Sequence, residues 1–238
     1  MAATIRLGDI AIDVLKKDIK NVHLSVYPPS GKVRISAPLD MDISTIRVFA
    51  ISRLGWVKQQ QRKLRSQERE TRREYIDRES HYVWGRRYLL KVLEVDEAPR
   101  VDLKPRRLVL QVRPGSSIES RRALLDSWYR AEIKRTVPSV IKQWQKVVGV
   151  QPARFFVQTM KTKWGSCNAS ARTIRLNTEL AKKPRECLEY IVVHEIVHLL
   201  EPTHNARFIG LMDRLMPRWE IYRQELNRLP VRHERWDY

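Results

Sequence analysis

Apolar residues alternate with polar ones at Val22, Leu24 and Val26, stop at P-P-S-G, and resume at Val33, Ile35 and Ala37. A period of two puts one face of each run in a core, and the Pro-Gly segment bends the chain between them, so a β-hairpin is predicted. The period then becomes helical. Ile46, Phe49, Ala50, Leu54 and Val57 form a stripe, with Asp42 or Ser44 placed to cap its first turn. This one helix is expected to continue into K-Q-Q-Q-R-K-L-R-S-Q-E-R-E-T-R-R-E-Y, which is polar on every face. That stretch reads as a solvated helix end or linker; a nucleic-acid clamp is the alternative, although acidic residues interrupt the basic ones.

Alternation returns at Tyr88, Leu90 and Val92 and again at Leu108, Leu110 and Val112, and P-G-S-S closes this region at 114–117. Residues 1–116 therefore read as a β-rich module with one long helix and no catalytic constellation. From about Ser120 the spacing is helical through Leu124, Leu125, Trp128, Ile133, Val137, Ile141, Trp144 and Val148, and Pro138 is expected to kink or split that helix. A strand is predicted at Phe155–Gln158, then a turn-rich T-K-W-G-S-C-N-A-S-A, then a strand with Ile174 and Leu176 on one face. Pro184 suits the first turn of a helix reaching about Leu200, where Pro202 stops it. Helices over Ala206–Leu215 and Trp219–Leu229 complete the pattern. No internal repeat is evident, and the fold class is α+β, with 117–238 as the second domain.

Composition changes this picture in one respect. The net charge is +19 over 238 residues, mostly from arginine. Such a surface favours acidic partners, nucleic acid among them, or serves solubility by repulsion. Two cysteines, Cys167 and Cys187, imply no disulfide framework and read as buried thiols of a reducing compartment. No apolar run is long enough to cross a membrane, and M-A-A-T-I-R-L-G-D-I is not patterned as a secretory signal, so a cytoplasmic location without membrane contact is expected.

The chemistry concentrates in V-V-H-E-I-V-H-L-L-E-P-T-H-N, residues 192–205, which holds three of the six histidines. His194 and His198, four apart on a helix, can meet one ion, while Glu195 is rotated away and can hold a water on that ion instead. This is the H-E-x-x-H arrangement of zinc hydrolases. Glu201 lies on the same stripe but roughly 10 Å along the axis from His194, too far to share its ion. Pro202 ends the helix, and His204 can turn back to give a third ligand. The spacing equals that of metzincins, yet Glu201 stands where they carry a glycine, which implies a differently built bend. Leaving two histidines and a glutamate unpaired in so apolar a surround would cost several kcal/mol. His23, His81 and His233, each alone in sequence, read as surface or core residues. Trp164 and Cys167 read as packing and Gly165 as a tight turn, with Lys161, Lys163 and Arg175 able to line a cleft.

The segments M-K-T-K-W-G-S-C-N, I-R-L-N-T-E-L, P-R-E-C-L-E-Y-I-V-V-H-E-I-V-H-L and H-N-A-R-F resemble the YgjP-like metallopeptidases, related to SprT-like proteases. V-R-I-S-A-P, W-V-K-Q-Q and S-W-Y-R extend the resemblance over most of the chain. A-S-A-R after Cys167 replaces the glycine usual in that hairpin. The resemblance implies a minimal zincin domain with one Zn²⁺ on His194, His198 and His204, Glu195 as catalytic base, and a peptide or protein substrate. In zincins an edge strand beside the active-site helix pairs with the peptide, and W-G-S-C is placed to begin or brace it. Tyr190, Tyr222 and His233 are candidates to stabilise the oxyanion. A metal-dependent nucleotide phosphoanhydride hydrolase and a nucleic-acid-associated module with structural zinc stay open as alternatives.

Overall fold

The computed structural model describes residues 2–27, 30–66, 73–160 and 163–228, and the chain divides into two compact units, one built from Met1–Arg69 and one from Glu70–Leu229. Four strands open the first unit: β1 (Ala2–Leu7), β2 (Ile10–Lys17), β3 (His23–Tyr27) and β4 (Lys32–Pro38). They form a sheet in the order β1-β2-β4-β3, with β2 and β4 parallel and the outer pairs antiparallel. β3 and β4 are the expected hairpin, although Pro28 and Pro29 of its turn lie outside the described residues. Ile10, Ile12 and Val14 of β2 and Val33, Ile35 and Ala37 of β4 share one buried face with Ile46, Ala50 and Val57.

Those last three residues belong to two helices, not one. α1 (Ile43–Ser52) is capped by Asp42, whose side chain accepts from the Thr45 amide at 2.9 Å. The chain leaves helical geometry at Arg53 (φ −105°, ψ 3°) and resumes as α2 (Leu54–Ser66). The apolar stripe spans both helices because both cover the same sheet face, and periodicity alone cannot register the break. Residues 67–72 of the polar stretch lie outside the described residues.

The second unit opens with β5 (Ser80–Val83), β6 (Arg86–Glu94), β7 (Arg100–Leu103) and β8 (Arg107–Val112), ordered β5-β6-β8-β7. The middle pair is again parallel and the outer pairs antiparallel. Strand order and direction thus repeat those of the first unit, each time followed by a side-chain-capped helix. No sequence repeat marks this, because each sheet needs only alternation and turn residues, which many sequences supply. A boundary at 116/117 would divide this second sheet from its core. Val83, Leu90, Leu108, Leu110 and Val112 bury with Leu125, Tyr129, Ile133 and Val137 of α3 (Ile118–Val148), so sheet and helix belong to one unit.

α3 is neither split nor ended by Pro138. Val137 and Ile141 on either side of it are buried, and that packing holds the turn where one backbone hydrogen bond is lost. Beyond α3 come β9 (Arg154–Gln158), β10 (Gly165–Asn168) and β11 (Thr173–Asn177), a short 3₁₀ turn (Thr178–Lys182), then α4 (Arg185–Val197), α5 (Ala206–Leu215) and α6 (Trp219–Arg228). These last strands form a sheet ordered β10-β11-β9. The β5–β6 turn, with Trp84 and Gly85 both at positive φ, donates backbone hydrogen bonds to Ala181 and Lys182 and packs on Pro184. Pro184 is the residue before α4, not within its first turn. Among the described residues no helix is long and apolar enough to cross a membrane.

Candidate active site

α4 is buried on most sides, through Cys187, Leu188, Ile191, Val192, Val193, Ile196 and Val197. A helix so enclosed holds its few polar groups at fixed positions. It ends at Val197, three residues before the expected Leu200. The Leu199 amide donates to Ile196 (3.0 Å) and the Leu200 amide to Val197 (2.9 Å), a tightening typical of a last turn. Pro202 therefore sits in the following turn and is not what stops the helix.

The turn carries His204 back over α4, bringing its Nε2 within 3.0 Å of His194 Nε2. One nitrogen from each of His194, His198 and His204 falls within 4.8 Å of the others. A tetrahedral zinc with bonds near 2.0–2.1 Å would separate such nitrogens by roughly 3.3 Å, so the three residues fit a metal ion. Glu201 supports a neighbouring imidazole, through its backbone and not its carboxylate. Its backbone carbonyl lies 3.0 Å from His198 Nδ1. A carbonyl only accepts, so Nδ1 carries the proton and Nε2 is left with its lone pair free. The Glu201 carboxylate instead accepts from the Thr203 hydroxyl at 3.0 Å.

Phe208 completes this arrangement. Asn205 caps α5 by accepting from the Phe208 amide (3.0 Å), and the Phe208 ring lies beneath all three histidines, 4.9 Å from His194, 4.6 Å from His198 and 4.7 Å from His204 between centroids. Sequence reading gave it no role. The available signal was an apolar residue four positions after the last histidine, at the start of a capped helix.

Burial, then the proximity of His198 and His204, then Arg223, holds His194 down to about 3. Burial, His198 and Arg223 likewise lower His204. Both imidazoles are therefore neutral and able to donate lone pairs. Burial pushes Glu195 up to about 8, with Lys163 pulling the other way. His194 Nδ1 and Glu195 Oε2 are buried and have no hydrogen-bond partner among the described residues. A buried carboxylate oxygen left unpaired beside three converging imidazoles is a site built to meet a water or an ion.

The wall facing Glu195 is β10, the edge strand of its sheet. Gly165 opens that strand and is not a turn residue; its backbone packs directly on Glu195 and Ile191. Register puts Gly165 and Cys167 on the α4 face, opposite Leu176 and Ile174, whereas Ser166 pairs with Arg175 on the other face. Arg175 lies over the Phe156 ring and so does not line the cleft, while Lys163 does. Cys167 also lines it, its thiol pushed up to about 11 by burial and by Glu195. Arg172, in the hairpin after Cys167, takes φ +49°, the conformation a glycine would adopt without strain.

Asn177 fixes the approach to β10. Its side chain donates to the carbonyls of Met160 and Lys163 (2.8 Å each) and accepts from the amides of Met160 (3.3 Å) and Glu179 (3.1 Å). All four hydrogen bonds open to an asparagine side chain are made. Trp164 packs on the core beside Lys183.

The remaining candidates are not at the site, with one exception. Tyr190 stands edge-on to His194 (5.8 Å) and stacks on Trp219 (6.3 Å), its hydroxyl pushed up to about 12, first by burial. Tyr222 packs at the rim of the core, His23 lies exposed on β3, and His81 is buried 3.0 Å from Glu79. Cys187 is buried in the core. Lys161 and His233 lie outside the described residues.

Residues 20–229 match the YgjP-like metallopeptidase domain. No curated protein matches the chain. Among solved structures, the zymogen of the metallopeptidase abylysin from Pyrococcus abyssi is similar at 21% identity and TM-score 0.36, over 40% of this chain and 100% of its own. The zymogen of jannalysin from Methanocaldococcus jannaschii is similar at 18% and 0.34, over 38% of this chain and 92% of its own. The match spanning most of the chain shows that it belongs to the YgjP-like metallopeptidase family.

Proposed function

We propose that the chain is a zinc-dependent peptidase in which His194, His198 and His204 hold the ion and Glu195 is the general base. The observation that carries this is the convergence of three imidazole nitrogens within 4.8 Å beside a buried carboxylate whose Oε2 is unpaired. Three imidazole nitrogen donors suit Zn²⁺ and leave a fourth position open. When bound there, the ion acidifies a water toward pKa ~7 and polarises a carbonyl.

The chain's own residues supply the rest. Glu195, its Oε2 unpaired beside the imidazoles, accepts the attacking water's proton and returns it to the leaving amine. The Glu201 carbonyl holds His198 in the tautomer that leaves Nε2 free. The free edge of β10 offers unpaired backbone groups to an extended peptide, which would lie across a cleft of about 360 Å³.

The test is an unbiased cleavage screen of the zinc-loaded protein against Glu195→Gln, with peptides and nucleoside triphosphates run in parallel. Peptide hydrolysis by wild type, lost about 10²- to 10⁴-fold in the variant, is the expected result. Equal rates in both proteins would sink the mechanism. Triphosphate hydrolysis without peptide cleavage would favour the alternative to which the net charge of +19 points.

A further inference from the structure

We propose that one flank of α3 is a docking surface for the phosphate backbone of duplex nucleic acid, separate from the cleft and independent of the peptidase reading above. Leu125, Tyr129, Ile133, Val137 and Ile141 are the buried row of this helix, each four residues after the last. The row one position round runs parallel to it: Arg130, Lys134, Pro138, Lys142 and Lys146, all exposed. Because the buried row is packed along its length, these side chains are held in line on a helix that Pro138 does not interrupt. Successive positions rise by about 6 Å, and Arg130 lies about 24 Å from Lys146 along the axis.

The pairing of charges on α3 singles this row out. The helix has seven lysines and arginines. Arg121 pairs with Glu94, Arg122 with Asp126 at 3.7 Å and Arg135 with Glu132 at 2.7 Å, whereas Arg130, Lys134, Lys142 and Lys146 form no ion pair among the described residues. Asp126 is the one carboxylate in line with the row, and Arg122 on its other side holds it. Like charges one turn apart repel, so Arg130 with Lys134, and Lys142 with Lys146, weaken the helix that carries them. Interspersed charge would serve solubility without that repulsion. A ligand with negative charges at regular intervals along a line turns the repulsion into attraction, and a phosphodiester backbone is such a ligand. The adjoining row, Ala131, Arg135, Ser139, Gln143 and Val147, adds a cation and no carboxylate. Val147 is its only large apolar residue, which leaves little to bury in a bilayer. Neither row offers an aromatic ring on which unpaired bases could stack, so the surface fits a duplex, and contacts to phosphate carry no sequence information.

The test is fluorescence anisotropy of the full chain with two fluorescein-labelled DNA duplexes of equal length and unrelated sequence, titrated at NaCl from about 50 to 500 mM. Wild type should bind both equally, with log K falling against log[NaCl] at a slope of about −3.6, four phosphates at about −0.9 each. Lys134→Glu with Lys142→Glu should weaken binding about tenfold at low salt and flatten the slope by about two. Lys134→Gln with Lys142→Gln should flatten it similarly and weaken binding less. Lys20→Glu with Lys58→Glu, at exposed lysines of the first unit, makes the same change in net charge and should leave affinity and slope near wild type. Absence of binding by wild type at low salt overturns the assignment, as does equal weakening by the Lys20 and Lys58 reversals. Tighter binding to anionic vesicles or to polyglutamate than to duplex overturns it too, and none of these outcomes bears on the peptidase reading.

Discussion

Gly165 and Glu195 are in direct contact: a β-carbon at position 165 would stand 2.5 Å from Oε1 and 2.9 Å from Cγ of the glutamate. Gly165 has an ordinary strand conformation, so glycine is required there for space and not for backbone freedom. Gly165→Ala should push the carboxylate from its place, cutting peptide hydrolysis at least tenfold while zinc content stays near one per chain. The overpacking should cost about 1–3 kcal/mol, read from denaturant midpoints. Wild-type activity in this variant would show that Glu195 does not need its present position.

One measurement separates the proposed third ligand, His204, from Glu201. His204→Ala should lose zinc on dialysis against a weak chelator, because its imidazole is one of the three converging donors. Glu201→Gln should keep zinc, since only the backbone carbonyl of that residue supports His198 and the amide can still bond Thr203. The opposite pattern would assign the ligand to Glu201.

Phe208 packs under all three histidines and is 1% exposed. Phe208→Ala should cost roughly 3–5 kcal/mol, as expected for a large core truncation. It should also weaken zinc affinity more than an equally buried truncation remote from the site, such as Leu110→Ala, measured by competition with a chelator. Equal zinc affinity in the two variants would reduce Phe208 to general core packing.

Glu79 and His81 predict an acid-sensitive component of stability. Burial chiefly lowers His81 from its ordinary 6.5, and the hydrogen bond to Glu79 only partly offsets it. The unfolded chain therefore takes up this proton first, so the contribution is full above pH 6.5 and declines as pH falls through that value. Glu79 is also lowered: burial would raise it, but His81 and the amides of Glu74 and Tyr75 outweigh that. Its contribution is full above 4.5 and is lost below. Urea midpoints of wild type and His81→Gln, taken from pH 8 to 5, should differ by an amount that shrinks as the pH falls. A constant difference would contradict the burial argument.

The sequence by itself determined what depends on spacing along one element. His194 and His198 share a face because they are four apart, and Glu195 cannot, whatever surrounds them. The β3–β4 hairpin followed from alternation and turn residues in the same local way, and the predicted span of α5, Ala206–Leu215, is the observed one. Family membership was legible for a related reason, since it is carried by contiguous motifs that include the site.

Tertiary structure decided everything that required knowing what packs where. The break at Arg53 and the intact passage through Pro138 both ran against local signals, because a shared sheet face and a buried flank outweigh a few residues' preferences. The repeated strand order of the two sheets left no trace in sequence, since alternation constrains polarity and not identity. Gly165 looked like a turn until Glu195 was seen occupying the space its side chain would need. Trp219 lies 21 residues after His198, and only the packing of α6 on α4 stacks it on Tyr190 beside His194. Contacts made across the fold are set by the sum of all buried surfaces, and no window of sequence contains that sum.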